Sequence, residues 1–136
     1  MPVRGSAAVA ARARALVGTR FRPQGRRREH GLDCLGFIAL AAELPAELLP
    51  SGYRLRSEVG PDMLSLTLDD RVAPIPAAEA GEGDVLLVQT GAGQHHFLIL
   101  LDNGFVHADA MLGRVVETPG AVAWPVVAAW RKVELD

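Results

Sequence analysis

The sequence contains one cysteine and four histidines, the residue types that carry out thiol-based nucleophilic catalysis. Cys34 follows Asp33, a favoured helix N-cap, and precedes an apolar run. We therefore predict that Cys34 begins a helix, where unpaired backbone amides and the positive end of the helix dipole face its sulfur. Such a position lowers the pKa of a thiol, and the amides at this Asp33-Cys34 start could also hold the oxyanion of a tetrahedral intermediate.

The four histidines differ in how well they could serve Cys34 as a base. His95 and His96 are neighbours in a predicted strand, so their side chains point to opposite faces and at most one faces Cys34. His30 lies in a polar loop, where a solvated side chain is the simpler interpretation. A lone cysteine without a histidine partner is more often a small buried hydrophobe. The nucleophile hypothesis therefore depends on a strand histidine.

A third group should hold the base imidazole in position. His107 and Asp109 follow a hairpin signal that includes Asn103-Gly104. A turn over these two residues leaves His107 about 13 Å along the strand from His96. A turn one residue earlier places Asp109 opposite His96 instead. Since turn type and bulges decide the register, we rank His107 first and Asp109 second.

A metal site is the alternative chemistry for the same side chains. Cys34 and three histidines could bind zinc, but their spacing matches no compact zinc motif. From the spacing we therefore do not expect a metal ion.

Length and composition describe an ordinary globular chain. Its 136 residues suit one domain, over residues 1–136, and a hydrophobic share of 49% argues against disorder. The net charge of -2 favours neither nucleic acid nor an acidic membrane, and no apolar run is long enough to span a bilayer. The basic run Arg26-Arg27-Arg28 is expected to be a solvated loop, or else a rim that attracts an anionic polymer.

The N-terminal stretch is rich in alanine but lacks an apolar secretory core, because Arg12 and Arg14 interrupt it. We expect a protein made in the cytoplasm without a signal peptide. The stretch predicts a helix at residues 6–17, capped near Ser6 and stopped by Gly18.

The predicted elements fall into two halves. The helix at residues 6–17 and a second one that begins at Cys34 come first. Residues 51–80 contain several prolines, and we expect an irregular crossing segment there with one short helix at residues 62–70. Helices followed by an antiparallel sheet make an α+β fold. Five short strands are predicted, at residues 84–89, 95–101, 105–109, 113–118 and 126–133.

Four motifs follow one another in a specific order. They are Gly31-Leu32-Asp33-Cys34, Gly83-Asp84-Val85-Leu86, His96-Phe97-Leu98-Ile99 and Phe105-Val106-His107-Ala108. In this order the chain resembles the NlpC-type cell-wall peptidases, a branch of the papain-like cysteine peptidases, over nearly its whole length.

Within that family the chain looks most like the subgroup found in phage tails and gene transfer agents. The features that carry this likeness are Gly18-Thr19-Arg20-Phe21, Asp33-Cys34-Leu35-Gly36 in place of Asp-Cys-Ser-Gly, and Trp130-Arg131. The likeness implies partners among phage-tail-like proteins, and action at the cell wall as part of a particle that penetrates it.

The family resemblance implies a papain-like α+β fold and a specific chemistry. That chemistry is amide hydrolysis through a thioester, on peptidoglycan stem peptides near D-glutamate and a diamino acid. The implied catalytic set is Cys34, His96 and His107, with no metal or organic cofactor.

The sequence departs from the family pattern at three places near the site, one of which is Leu35 in place of the common serine, a change that the phage-tail subgroup shares. Phe21 stands where a tyrosine is usual, so a hydroxyl beside the nucleophile is missing. Leu98 stands where a glycine is usual, which predicts a more crowded sheet near the helix. These departures keep two alternatives open: a catalytically weak structural or binding tail component of the same fold, and another thiol amidase or acyltransferase.

Overall fold

The computed structural model describes residues 6–45 and 71–133. The short helix predicted at residues 62–70 lies outside the described residues. Within these two ranges, no helix is long and apolar enough to cross a membrane. The helices are α1 (Ala7–Ala15) and α2 (Cys34–Ala41), with a 3-10 turn at Ala77–Glu79. The strands are β1 (Arg26–Arg27), β2 (Gly31–Leu32), β3 (Val72–Ile75), β4 (Val85–Gly91), β5 (Gln94–Leu101), β6 (Gly104–Asp109), β7 (Arg114–Pro119) and β8 (Val126–Lys132).

Six strands form one antiparallel sheet in the order β3-β8-β4-β5-β6-β7, and the two helices pack on it. The predicted α+β fold is confirmed, and all five predicted strands are present. The irregular crossing segment expected at residues 51–80 is wrong for its described part, residues 71–80, because β3 pairs there with β8. This strand was not predicted because it contains Pro74, and a proline removes a backbone hydrogen-bond donor. The sheet accepts it because β3 is an edge strand with one neighbour.

Both helices begin at the predicted caps. The Ser6 hydroxyl accepts a hydrogen bond from the Val9 N–H at 3.1 Å, and α1 ends before Gly18, whose φ of +95° suits glycine. Asp33 caps α2 in the same way, by accepting from the Gly36 N–H at 2.8 Å. The local sequence thus fixes where Cys34 stands in the fold.

The sheet is buried on both faces because its strands alternate between two hydrophobic clusters. The helix-side cluster joins α1 and α2 to Leu87 and Phe97 of the central strands. The second cluster, on the opposite face, contains Leu86, Leu98 and Phe105 and no residue of either helix. The expectation that Leu98 crowds the helix side is therefore wrong, because Leu98 points away from the helices.

Two of the sequence motifs meet in one buried ion pair. Arg131 donates to both carboxylate oxygens of Asp84, at 3.1 and 2.9 Å. The Asp84 side chain is fully buried, and it also accepts from the Gly81 N–H at 2.8 Å. The Gly-Asp and Trp-Arg motifs therefore contribute to folding by joining the start of β4 to β8.

Candidate active site

The buried carboxylate of Asp33 joins the start of α2 to the loop that precedes it. Besides capping the helix, Asp33 accepts from the Gln24 N–H at 2.9 Å and from Arg26 Nη1 at 2.8 Å. The sequence predicted a solvated loop for Arg26, and this is wrong, because the Arg26 side chain is only 18% exposed. Arg27 and Arg28 are exposed. This scaffold holds Cys34 as the first residue of α2.

The Cys34 thiol is almost completely buried, at 2% exposure. Burial, and then the neighbouring Asp33 carboxylate, raise the pKa of this thiol to about 12. Backbone amides, including that of Phe97, lower the thiol pKa but do not offset burial. The lowering expected from the helix start is thus outweighed, and the thiol is protonated at neutral pH.

His96 and His107 form a hydrogen-bonded pair, with His96 Nε2 at 2.8 Å from His107 Nδ1. The hairpin between their strands turns over Asp102-Asn103, since Leu101 pairs with Gly104. This is the turn for which Asp109 was expected opposite His96. His107 contacts His96 because the two are diagonal neighbours on one face, within reach of aromatic side chains.

Asp109 has a different set of partners. Its Oδ1 accepts from the N–H groups of Met111 and Leu112, at 2.8 and 3.1 Å. The carboxylate therefore caps the turn between β6 and β7. Among the described residues no hydrogen bond joins Asp109 to either histidine, and its charge only partly opposes the lowering of their pKa values.

Both histidines are neutral at pH 7. Burial, and then the neighbouring His107, lowers the pKa of His96 to about 4, and burial also lowers the pKa of His107. In a neutral pair one ring nitrogen must donate to the other. If His96 is to accept a proton at Nδ1, its Nε2 must carry the hydrogen that His107 Nδ1 accepts.

An aromatic wall closes the pair from one side. Trp124 meets the rings of His96 and His107 edge-on, with centroids 6.3 and 5.8 Å apart, and Phe105 lies 5.2 Å from His107. Trp124 was not among the residues predicted for the site. No local motif marks it, because it lies in the connection between β7 and β8.

One cleft of about 530 Å³ brings the predicted residues together. Cys34, His96, His107 and Asp109 all line it, whereas His30 lies outside it. Within residues 6–45 and 71–133, no hydrogen bond joins the thiol to a histidine, but the Cys34 sulfur lies within hydrogen-bonding reach of the N–H of Phe97, the residue that follows His96. The catalytic roles stay a prediction. The other lining residues are Phe21, Thr90, Gln94, His95, Ala108, Ala110, Met111 and Trp124.

His95 points to the opposite face from His96, as strand alternation requires. Its Nδ1 is the one buried side-chain nitrogen or oxygen in the described part of the chain without a hydrogen-bond partner. In the same two ranges, no three His, Cys, Asp or Glu side chains are grouped so that they could hold a metal ion.

No family model matches the sequence, and no curated protein matches it. Solved structures do match. NlpC1 from Trichomonas vaginalis is similar at a TM-score of 0.62 and 18% identity, over 91% of this chain and 44% of that one. The peptidoglycan hydrolase RipB from Mycobacterium tuberculosis is similar at 0.57 and 22% identity, over 92% of this chain and 62% of that one. The P60 domain of an antigen from M. avium subspecies paratuberculosis is similar at 0.55 and 17% identity, over 92% and 91%.

The chain spans 44% of the Trichomonas protein and 62% of RipB, so it corresponds to a part of each. Likeness at such low identity concerns the fold. The order of two helices and an antiparallel sheet, with a cysteine at a helix start and histidines on adjacent strands, fits that likeness. The chain therefore has the papain-like α+β fold of NlpC/P60 proteins.

Proposed function

We propose that the protein is a cysteine endopeptidase that hydrolyses peptide bonds in peptidoglycan stem peptides. The observation that carries the proposal is one cleft lined by a helix-start cysteine and a hydrogen-bonded histidine pair. The shared fold with RipB, which is named as a peptidoglycan hydrolase, supports the choice of substrate.

In the proposed mechanism Cys34 is the nucleophile, His96 the base and His107 the residue that orients His96. His96 Nδ1 takes the thiol proton as Sγ attacks the carbonyl carbon, which gives a tetrahedral oxyanion. Asp33 already occupies the Gly36 N–H, so the amides at Cys34 and Leu35 are the proposed oxyanion donors. The imidazolium then protonates the departing amine, and a water activated by His96 hydrolyses the thioester.

The resting site must rearrange before it reacts. The thiol and the imidazole are both neutral, so the proton moves as the substrate carbonyl arrives and is not stored in a thiolate-imidazolium pair. Catalytic hydrogen bonds are often long before substrate binds. The approach of Cys34 Sγ to His96 Nδ1 belongs to the same step.

The biological setting is also part of the proposal. The protein would act at the cell wall as a component of a phage tail or gene transfer agent. The subgroup motifs support this setting. One of them, Trp130-Arg131, also has a structural role, through the ion pair of Arg131 with Asp84.

The test is digestion of purified peptidoglycan, with the released fragments identified by mass spectrometry. We expect stem-peptide fragments from the parent protein and none from Cys34→Ala. His30→Gln is the matched control, because His30 is exposed and outside the cleft, and it should digest like the parent. An absence of fragments from the folded parent would overturn the proposal.

A second candidate, a catalytically weak wall-binding component, is favoured by two observations. Phe21 lines the cleft without a hydroxyl, and burial raises the pKa of Cys34 to about 12. For this candidate we expect the parent and Cys34→Ala to bind peptidoglycan equally without releasing fragments. Phe21→Tyr would then restore cleavage. An enzyme that digests the wall without this substitution excludes the second candidate.

A further inference from the structure

Two arginines face each other at the outer edge of the sheet. The segment at residues 18–21 pairs with β7 through backbone hydrogen bonds, one of them from the Gly18 N–H to the Val115 oxygen at 2.9 Å. This bridge sets Arg20 directly opposite Arg114. Both residues are exposed. Two cations are thus held side by side by the backbone.

Among the described residues no ion pair offsets the two charges, although Asp109 is the strand partner of Arg114. Like charges directly opposite each other on neighbouring strands repel and destabilise the pairing. In the described part of the chain, neither Arg20 nor Arg114 has a hydrogen-bond or ion-pair partner for its guanidinium. Five other arginines of this part do have partners, among them Arg12 and Arg131, which contact Glu43 and Asp84, and Arg14, which contacts Glu117; the others are Arg26 and Arg28.

Each arginine of the pair is next to a residue that lines the cleft. Arg20 precedes Phe21, and Arg114 is the strand partner of Asp109, and both Phe21 and Asp109 line the cleft. Because Val115 points into the helix-side cluster, Arg114 points to the opposite face, the one that carries His107. The two cations lie about 5 to 10 Å, one or two strand spacings, beyond the strand of Asp109.

We propose that Arg20 and Arg114 form a subsite that binds a free carboxylate of the substrate peptide. The inference rests on the proposed function and names the substrate class more narrowly, as peptides with unamidated acidic groups. Guanidinium groups bind carboxylates through two parallel hydrogen bonds, and an anion between these two would also relieve their repulsion. A stem peptide containing glutamate and a diamino acid supplies such carboxylates.

The test measures binding separately from hydrolysis. The Cys34→Ala protein is titrated by calorimetry with a synthetic stem tetrapeptide, and with the same peptide after its side-chain and α-carboxylates are amidated. We expect the acidic form to bind at least about tenfold more tightly, the effect of one charged hydrogen bond. Adding Arg20→Gln and Arg114→Gln should abolish this preference.

Arg27→Gln is the matched control, since Arg27 is also exposed but lies in β1, outside the cleft. It should leave the preference intact. Folding of the double variant is checked by its melting temperature, which should not fall, because the substitutions remove a repulsion. Equal affinity for the two peptide forms overturns the subsite, as does an equal loss of preference in Arg27→Gln.

The two proposals can fail independently. If the parent releases no wall fragments but the preference for the acidic peptide depends on the arginine pair, the subsite stands and the hydrolase does not. If the parent cleaves acidic and amidated peptides with the same kcat/KM, the hydrolase stands and the subsite does not.

Discussion

The helix start around Cys34 and the histidine pair are built in opposite ways. The partners of Asp33 lie nine, seven and three residues away along the chain. His96 and His107 are 11 residues apart on two strands, and Trp124, from a later connection, covers them both. The first region is held by a local network, whereas the second exists only once the sheet has formed.

This contrast indicates how the site is divided. The helix start holds a buried, neutral thiol, and the sheet supplies a neutral imidazole pair. Among the described residues no hydrogen bond joins the thiol to either histidine, and the link between the two regions is the contact of the Cys34 sulfur with the Phe97 N–H. Damage to one region should therefore leave the other folded, and the predictions below test that independence.

The largest effect is expected from loss of His96, the proposed base on the sheet side. His96→Gln should lower kcat/KM for a stem peptide about 10³-fold, within the range of general-base contributions. The alkylation rate of Cys34 at alkaline pH should stay unchanged, because its surroundings on the helix side are intact. A parallel loss of alkylation would show that the two regions are coupled.

On the helix side, Asp33→Ala should lower the free energy of unfolding by about 3 kcal/mol, because it leaves the half-buried Arg26 without its carboxylate and removes the cap of α2. Urea denaturation measures this. Asp33→Asn is the control and should cost less, because an amide oxygen still caps the helix. A loss below 1 kcal/mol in Asp33→Ala would contradict the importance of the local network.

His107→Ala should lower kcat about 30-fold with little change in KM, the size of effect that orienting partners have on metal-bound histidines. His107→Asn should retain part of the activity, since its side-chain oxygen can still accept from His96. Asp109→Asn is the comparison and should change kcat less than about threefold, because Asp109 caps a turn. The reverse ranking would assign the orienting role to Asp109.

The sequence predicted the helix start around Cys34 better than the histidine pair, because the helix start is held by local contacts and the pair by contacts between distant segments. N-caps act over three residues, so Ser6 and Asp33 could be identified directly. The His96–His107 contact depends on a hairpin register that a shift of one residue changes, and two alternatives stayed open. The burial that raises the thiol pKa could not be predicted, because it comes from packing between distant segments.

The smallest effect concerns the aromatic wall. Trp124→Ala should admit water to the pair and raise the pKa of His96 from about 4 toward its ordinary value, which NMR titration of the imidazole C–H signal measures.

Between about pH 6.5 and 4 the unfolded chain binds more protons at His96 than the folded chain does. The free energy of unfolding therefore falls as pH drops through that window. In Trp124→Ala this fall should be shallower, whereas Trp124→Phe should keep it. An unchanged His96 titration in Trp124→Ala would mean that the strands bury His96 without help from Trp124, and that the connection between β7 and β8 does not support the histidine pair.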